Sequence, residues 1–278
     1  MLLKELAKTI FKALKPLKTT DFDDLLSVAD TLQEDTKTDN YQVHFLWVEG
    51  TLSTLELLCI NSFAKNGFDV ILWHYGDITN PPENVSLKDG RELINEDRIF
   101  TYSNGSLAGF ADLFRYKVLS VYGGIWADTD VICLTSKKQF SQNKQPILVS
   151  EKLNGIIKVN NNFIFWPNPI KGDFIDLAYS FSDAFLPDKQ YWGDCGPKLL
   201  HSLAINYPHL TPRIMSPSFC NPFEHTKCPS ILITPNTKIA ESTLFLHCYN
   251  ETWRRNKVDK NASFPESSII GRLSKLYL

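Results

Sequence analysis

The sequence predicts an α/β protein with a Rossmann-like mixed sheet flanked by helices, and three observations lead there. A strand–helix–strand run opens near residue 42. An amphipathic helix over 106–122 is stopped by Gly123-Gly124 and followed at once by an apolar strand. Strand and helix patterns then continue to alternate as far as Cys248. At 278 residues and 43% hydrophobic content the chain is long and apolar enough for a single large domain, expected over 41–278 behind a leader at 1–40.

In that leader, Leu2, Leu3, Leu6, Ile10, Leu14 and Leu17 follow helical spacing. Lys4, Lys8, Lys12, Lys15 and Lys18 against Glu5 give residues 1–18 a charge of +4 and leave −6 for the remainder. Two readings stand for such a basic amphipathic helix: docking on an anionic membrane surface, or packing on its own domain. Its lysines interrupt any continuous apolar core, so no signal peptide is expected and the cytoplasm is the expected location. Residues 19–40 are acidic and read as a linker.

The domain proper starts with a strand at 42–48. A helix follows, its start marked by Ser53 with Glu56 three residues on, the spacing of a capping box; Gly67 ends it, and 68–73 forms the next strand. In doubly wound sheets ligands gather at the carboxyl ends of the strands, where Trp47, Glu49 and Gly50 fall. On the helix over 106–122, Leu107, Phe110, Ala111, Phe114, Val118 and Val121 mark the apolar face. Asp112 and Arg115 lie off it, one turn apart, in a setting more like a pocket wall than open solvent. Residues 125–134 read as a strand carrying two aspartates. Further strands are expected near 147–150, 157–165 and 244–248, and helices near 170–185 and 196–205.

A net charge of −2 argues against a nucleic-acid partner. The six cysteines have no CxxC spacing and read as reduced thiols. Cys220, His225 and Cys228 lack the further ligands a zinc finger would need.

Chemistry points to Asp128-Thr129-Asp130. Two carboxylates in an otherwise apolar strand cost stability unless something pairs with them. In an extended backbone their side chains project to the same side and converge on one cation. A divalent ion there turns a site that repels diphosphate into one that attracts it, and stabilises charge on a departing nucleoside diphosphate.

The stretch SLAGFADLFRYKVLSVYGGIWADTDVICL resembles the DXD region of glycosyltransferase family 32 and of the glucosyltransferase domain of large clostridial cytotoxins. Asp112-x-x-Arg115, Tyr122-Gly123-Gly124, and Trp126 two residues before Asp128-x-Asp130 carry the likeness. Weaker echoes are the opening strand with Trp47, Asn161-Asn162, Gly196-Pro197, and His247 through Trp253-Arg254-Arg255. The resemblance implies a GT-A catalytic domain over 41–278, a UDP-sugar donor, Mn²⁺ or Mg²⁺, a glycan or glycolipid acceptor and retention of configuration. By it, Trp47 stacks on the uracil and Asp112 and Arg115 hold hydroxyls of the donor sugar. Asp128 contacts ribose or sugar and aids the metal, Asp130 is the direct ligand and His247 another. Trp253 closes over the diphosphate, and Asn162 and Asp194 face the acceptor. Bacterial capsule or lipopolysaccharide synthesis is the implied setting.

Two other classes stand beside this one. A phosphatase of the haloacid-dehalogenase kind would use the first Asp of a DxD as nucleophile, though that motif ordinarily follows the first strand. A non-catalytic module would bind a sugar nucleotide without turning it over.

Overall fold

A computed structural model describes residues 40–185 and 193–278; the expected leader helix and linker fall outside the described residues. In chain order the principal elements are β1 (Val43–Leu46), α1 (Thr54–Lys65), β2 (Val70–His74), β3 (Ser86–Asp89), α2 (Ala108–Tyr122), β4 (Gly124–Ala127) and β5 (Val131–Cys133). There follow β6 (Ile147–Leu153), β7 (Ile156–Trp166), α3 (Phe174–Phe185), α4 (Pro197–Asn206), β8 (Arg213–Met215), α5 (Cys228–Ile233), β9 (Phe245–His247), α6 (Asn250–Arg255) and α7 (Ile269–Tyr277).

The expected capping box is present. Ser53 is extended, and its backbone N–H donates to Glu56 Oε2 at 2.9 Å. At the other end Gly67 leaves α1 with φ +87°, a conformation that favours glycine.

Seven strands form one sheet in the order β3-β2-β1-β4-β7-β6-β8. The first four run parallel, β7 is antiparallel to both β4 and β6, and β8 runs parallel to β6. Neighbouring residues on a strand feed opposite layers. Trp126 and Ile164 join Phe110, Phe114 and Leu200 on one face, while Ile125, Phe163 and Phe165 join Phe63 and Phe245 on the other.

Two expectations change. Helix α2 packs against α3 as well as the sheet, so it is buried almost all round. Asp112 and Arg115 are as buried as its apolar face, whereas Val121, at the end of the helix, is 47% exposed. The expected strand over 125–134 is two strands. After β4 the chain turns at 128–130, with Val131 N–H bonded to Asp128 O at 3.0 Å, and β5 leaves the large sheet to pair antiparallel with β9. Period-two alternation therefore does not bring the two carboxylates together; the turn does.

Gly123-Gly124 makes that course possible. Both have positive φ, and a Cβ would meet Trp166 O at 2.8 Å on Gly123 and Gln42 O at 2.5 Å on Gly124.

Candidate active site

The turn presents Asp128 and Asp130 at the carboxyl end of β4, and β9 brings His247 opposite Asp130 through the pairing Val131↔His247. One ligand atom from each of Asp128, Asp130 and His247 lies within 4.8 Å of the others, the only such group of three or more among the described residues. Cys220, His225 and Cys228 form no such group, and all six cysteines are buried, none of them in a disulfide.

Asp128 is held from below. Its Oδ1 takes the Trp126 indole N–H at 2.7 Å and Arg115 Nη2 at 3.1 Å. The same Nη2 reaches Asp112 Oδ1 at 3.2 Å, and Nη1 donates to the Asn161 carbonyl. The guanidinium also lies over the Trp126 ring, 5.1 Å from its centroid. Burial pushes the Asp112 carboxyl up to about 6, with Arg115 opposing. Burial likewise raises Asp128, again against Arg115.

Asp130 is held from the side. His247 Nε2 is 3.3 Å from its Oδ2, and the Asn250 backbone N–H donates to the same oxygen at 2.7 Å. Tyr249 has left-handed backbone, φ 58°, which is uncommon for a bulky residue and directs the next amide at Asp130. Burial would raise the Asp130 carboxyl, but His247 and the amide outweigh it and hold it low. Asp130 in turn outweighs burial and raises His247.

Other expected residues sit differently. Trp47 follows β1 half-buried, its indole N–H buried without a hydrogen-bond partner. Asp112 and Arg115 are 5% and 3% exposed, the first with Gly196 directly against its carboxylate. Arg115 spends its donors on Asp112, Asp128 and the backbone carbonyls of Ala111 and Asn161, and Asp112 Oδ1 takes both Arg115 and the Asn161 amide. Asn162, 1% exposed, is bonded to Asn221 and Cys220. Trp253 is fully buried, gives its N–H to Cys248 O at 2.8 Å and packs edge-on to Phe264, so it does not close over a ligand here. Asp194 is partly exposed at the start of α4 and bonds Lys198 Nζ at 2.9 Å.

Sequence reasoning missed Asn221, Tyr249 and Asn250. Asn221 Oδ1 lies 2.9 Å from His247 Nδ1, and the side-chain oxygen of Asn250 is buried with no partner. No local pattern marks any of the three.

A turn with two aspartates at the end of a central strand of the mixed sheet, faced by a histidine from the small β5–β9 sheet, is the arrangement of a DXD glycosyltransferase with a GT-A fold. Residues 31–151, just under half the chain, match the model of the glycosyltransferase sugar-binding region containing the DXD motif. No curated protein sequence matches the chain. Among solved structures, the chain is similar to the PaToxG glycosyltransferase, at 18% identity over 74% of this chain and 79% of that one, with a TM-score of 0.44. It is also similar to mouse xyloside xylosyltransferase 1, at 8% identity over 77% and 99%, with a TM-score of 0.44. The galactosyltransferase LgtC, in complex with donor and acceptor sugar analogues, matches at 10% identity over 74% and 86%, with a TM-score of 0.39.

Proposed function

We propose that this glycosyltransferase depends on a divalent cation and takes its sugar from a nucleotide sugar, a UDP-sugar by the resemblance, for transfer to a hydroxyl of a glycan or glycolipid. The observation that carries the reading is the convergence of Asp128, Asp130 and His247 within 4.8 Å. Two carboxylates and an imidazole form a donor set suited to Mn²⁺ or Mg²⁺. The partnerless Asn250 Oδ1, on the residue whose amide caps Asp130, fits the same account. When bound, the cation offsets the diphosphate charge and stabilises the departing nucleoside diphosphate. Without it the carboxylates would repel that substrate by about 4 kcal/mol per charge pair at ~4 Å and an effective dielectric of ~20.

The chain's own contribution is to aim and charge those oxygens. Arg115 and Trp126 pin Asp128 by one oxygen and leave the other for a ligand, while Asn250 and His247 keep Asp130 ionised. Trp47 is positioned at the strand end where the nucleoside would stack, with its N–H still seeking an acceptor. Retention of configuration, which the resemblance implies, asks for no dedicated general base on the acceptor side. Asp194 stays assigned to that side as the partly exposed carboxylate next to the Asp112 cluster.

The deciding experiment is a panel of sugar nucleotides scored for Mn²⁺-dependent hydrolysis, wild type beside Asp130→Ala. Turnover that needs Mn²⁺ and is lost in the variant supports the reading. Calorimetry showing nucleotide affinity unchanged by chelator and by neutralising both aspartates would end it. Turnover of an aryl phosphate in its place would favour a phosphatase. A role in bacterial surface-glycan synthesis belongs to the same proposal, as does docking through residues 1–18 on the inner face of the cytoplasmic membrane. No helix among the described residues is long and apolar enough to cross a membrane. Flotation with anionic liposomes should be lost on deleting 1–18, and flotation unchanged by the deletion removes the docking idea.

A further inference from the structure

We propose that Glu56 is a positioning residue for the 128–130 turn: it grips the side chain of Asn250 and thereby holds the Asn250 backbone N–H on Asp130. The inference rests on the cation-dependent reading above and reaches one step behind it, to a buried acid that reading leaves unused.

Glu56 sits in the first turn of α1 and is fully buried. The capping box accounts for one of its oxygens, Oε2, which takes the Ser53 backbone N–H at 2.9 Å and the Ser53 hydroxyl. Nothing in a cap requires the second oxygen to leave water. Here Oε1 takes Asn250 Nδ2 at 2.7 Å and the Lys260 ammonium, from residues 194 and 204 positions further along the chain. Burying a carboxylate is costly unless hydrogen bonds and an opposite charge offset it, and Lys260 supplies the charge.

An amide can be turned end for end, so its neighbours must fix it. A carboxylate paired with an ammonium only accepts, so Asn250 must offer its nitrogen to Glu56, and the atom left buried without a partner is its oxygen. The backbone N–H of the same residue meets Asp130 Oδ2 at 2.7 Å. Side chain and backbone of one residue thus join the start of α1 to the DXD turn. The far end of this segment is tied down as well. Asn261 Oδ1 takes the Thr54 backbone N–H at 2.9 Å, so both ends of 250–261 are fastened to the first turn of α1. Tyr249, just before, has a left-handed backbone that persists only where its surroundings impose it, and the Glu56 grip is one such constraint, placed on the very next residue.

The test uses the full-length, metal-free chain and follows hydrogen exchange by NMR, residue by residue. The Asn250 N–H should be protected in the wild type and exchange about 10-fold faster in Glu56→Ala, while the amides of β7 keep their rates. Ser53→Ala, which also removes the cap of α1 but not the grip, should leave that N–H protected. Mn²⁺ affinity by calorimetry should fall about 10-fold in Glu56→Ala and stay within a few-fold in Ser53→Ala. In an Asn250→Ala background, where no side chain is left to grip, Glu56→Ala should lower the affinity no further. An equal loss with and without the Asn250 side chain overturns the proposal, as does Glu56→Ala with exchange and affinity unchanged. An Asn250 N–H unprotected in the wild type overturns it without any variant. Where Glu56→Ala does not fold, Asn250→Ala severs the same link from the other end, and an unchanged exchange rate at residue 250 there is equally fatal. Failure of the cation reading looks different: Mn²⁺ would not bind wild type, or would bind Asp130→Ala as well, and the exchange rates would still decide the grip.

Discussion

Asp128 and Asp130 are two residues apart and are held in opposite ways. Everything that touches the Asp128 carboxylate comes from α2 and β4, within a short stretch of chain: Arg115, Trp126 and, through Arg115, Asp112. Everything that touches Asp130 arrives from far away, with His247 on β9 and the Asn250 amide 120 residues on. The titration directions follow. Burial drives Asp128 up against Arg115, whereas at Asp130 the histidine and the amide overcome burial and hold it down. The local cradle is a buried ion cluster that folding must assemble intact. The distant one is a set of donors closed around a group kept charged for a ligand, so the first should govern stability and the second binding.

Arg115→Met gives the largest effect this contrast predicts. It strips the counter-charge from the buried Asp112 and from the partly buried Asp128, and should cost about 3–5 kcal/mol of folding stability, most of it through Asp112. Denaturant unfolding measures it, and a loss under about 1 kcal/mol would mean that the local cradle is not a stability element.

Next in size is a pH effect at the junction that supports this cradle. His44, on β1, receives the Trp73 indole N–H on Nδ1 and meets the Gly123 carbonyl through Nε2, so it is held neutral. Burial lowers its value from 6.5 to about 4, with the Gly123 carbonyl opposing. A histidine depressed in the folded state contributes stability that is complete above pH 6.5 and is lost as pH falls toward about 4. The loss is roughly 3 kcal/mol, at 1.36 kcal/mol per pK unit. Asp112 works the other way, because its folded value is raised and protonation below about 6 favours the folded chain. The difference in slope between wild type and His44→Gln isolates the histidine, and equal slopes would remove it from the account.

The distant cradle should answer to ligand instead. Mn²⁺ at about 100 times its dissociation constant should stabilise wild type by about 2.7 kcal/mol. Asp130→Ala and His247→Ala should lose most of that gain in a thermal-shift titration. A full Mn²⁺ shift in either variant would move the ion away from the 128–130 turn.

How much of this was legible in the sequence depends on the same local-versus-distant difference. The capping box of α1, the extent of α2 and the Gly-Gly stop are decided by residues within a few positions of one another, and they were readable. The break of the strand at Asp128 was not. It is set by Asn162 O, which accepts the Asp128 N–H at 2.8 Å, and by the pairing of β5 with β9, both imposed from later in the chain. Of the site, the DXD motif, the Asp112–Arg115 pair and His247 could be named in advance. Asn221 carries no pattern, and a left-handed Tyr249 runs against its own backbone preference, so packing alone reveals either.

Trp253 offers the smallest effect and the cleanest separation of likeness from geometry. By resemblance it covers the donor diphosphate; in the structure it is a core anchor in the layer behind β5 and β9, with its N–H on Cys248 O. Trp253→Phe keeps an aromatic ring against Phe264 but deletes that hydrogen bond, for a cost of about 1 kcal/mol. Because Cys248 lies between His247 and Tyr249, the change loosens the distant cradle by no more than this. Sugar-nucleotide affinity measured with Mn²⁺ present should therefore stay within a few-fold of wild type. A tenfold or greater loss, with folding stability down by only about 1 kcal/mol, would mean that the tryptophan leaves the core to meet the donor. The distant cradle would then be a moving part of the site, and the local cradle its fixed one.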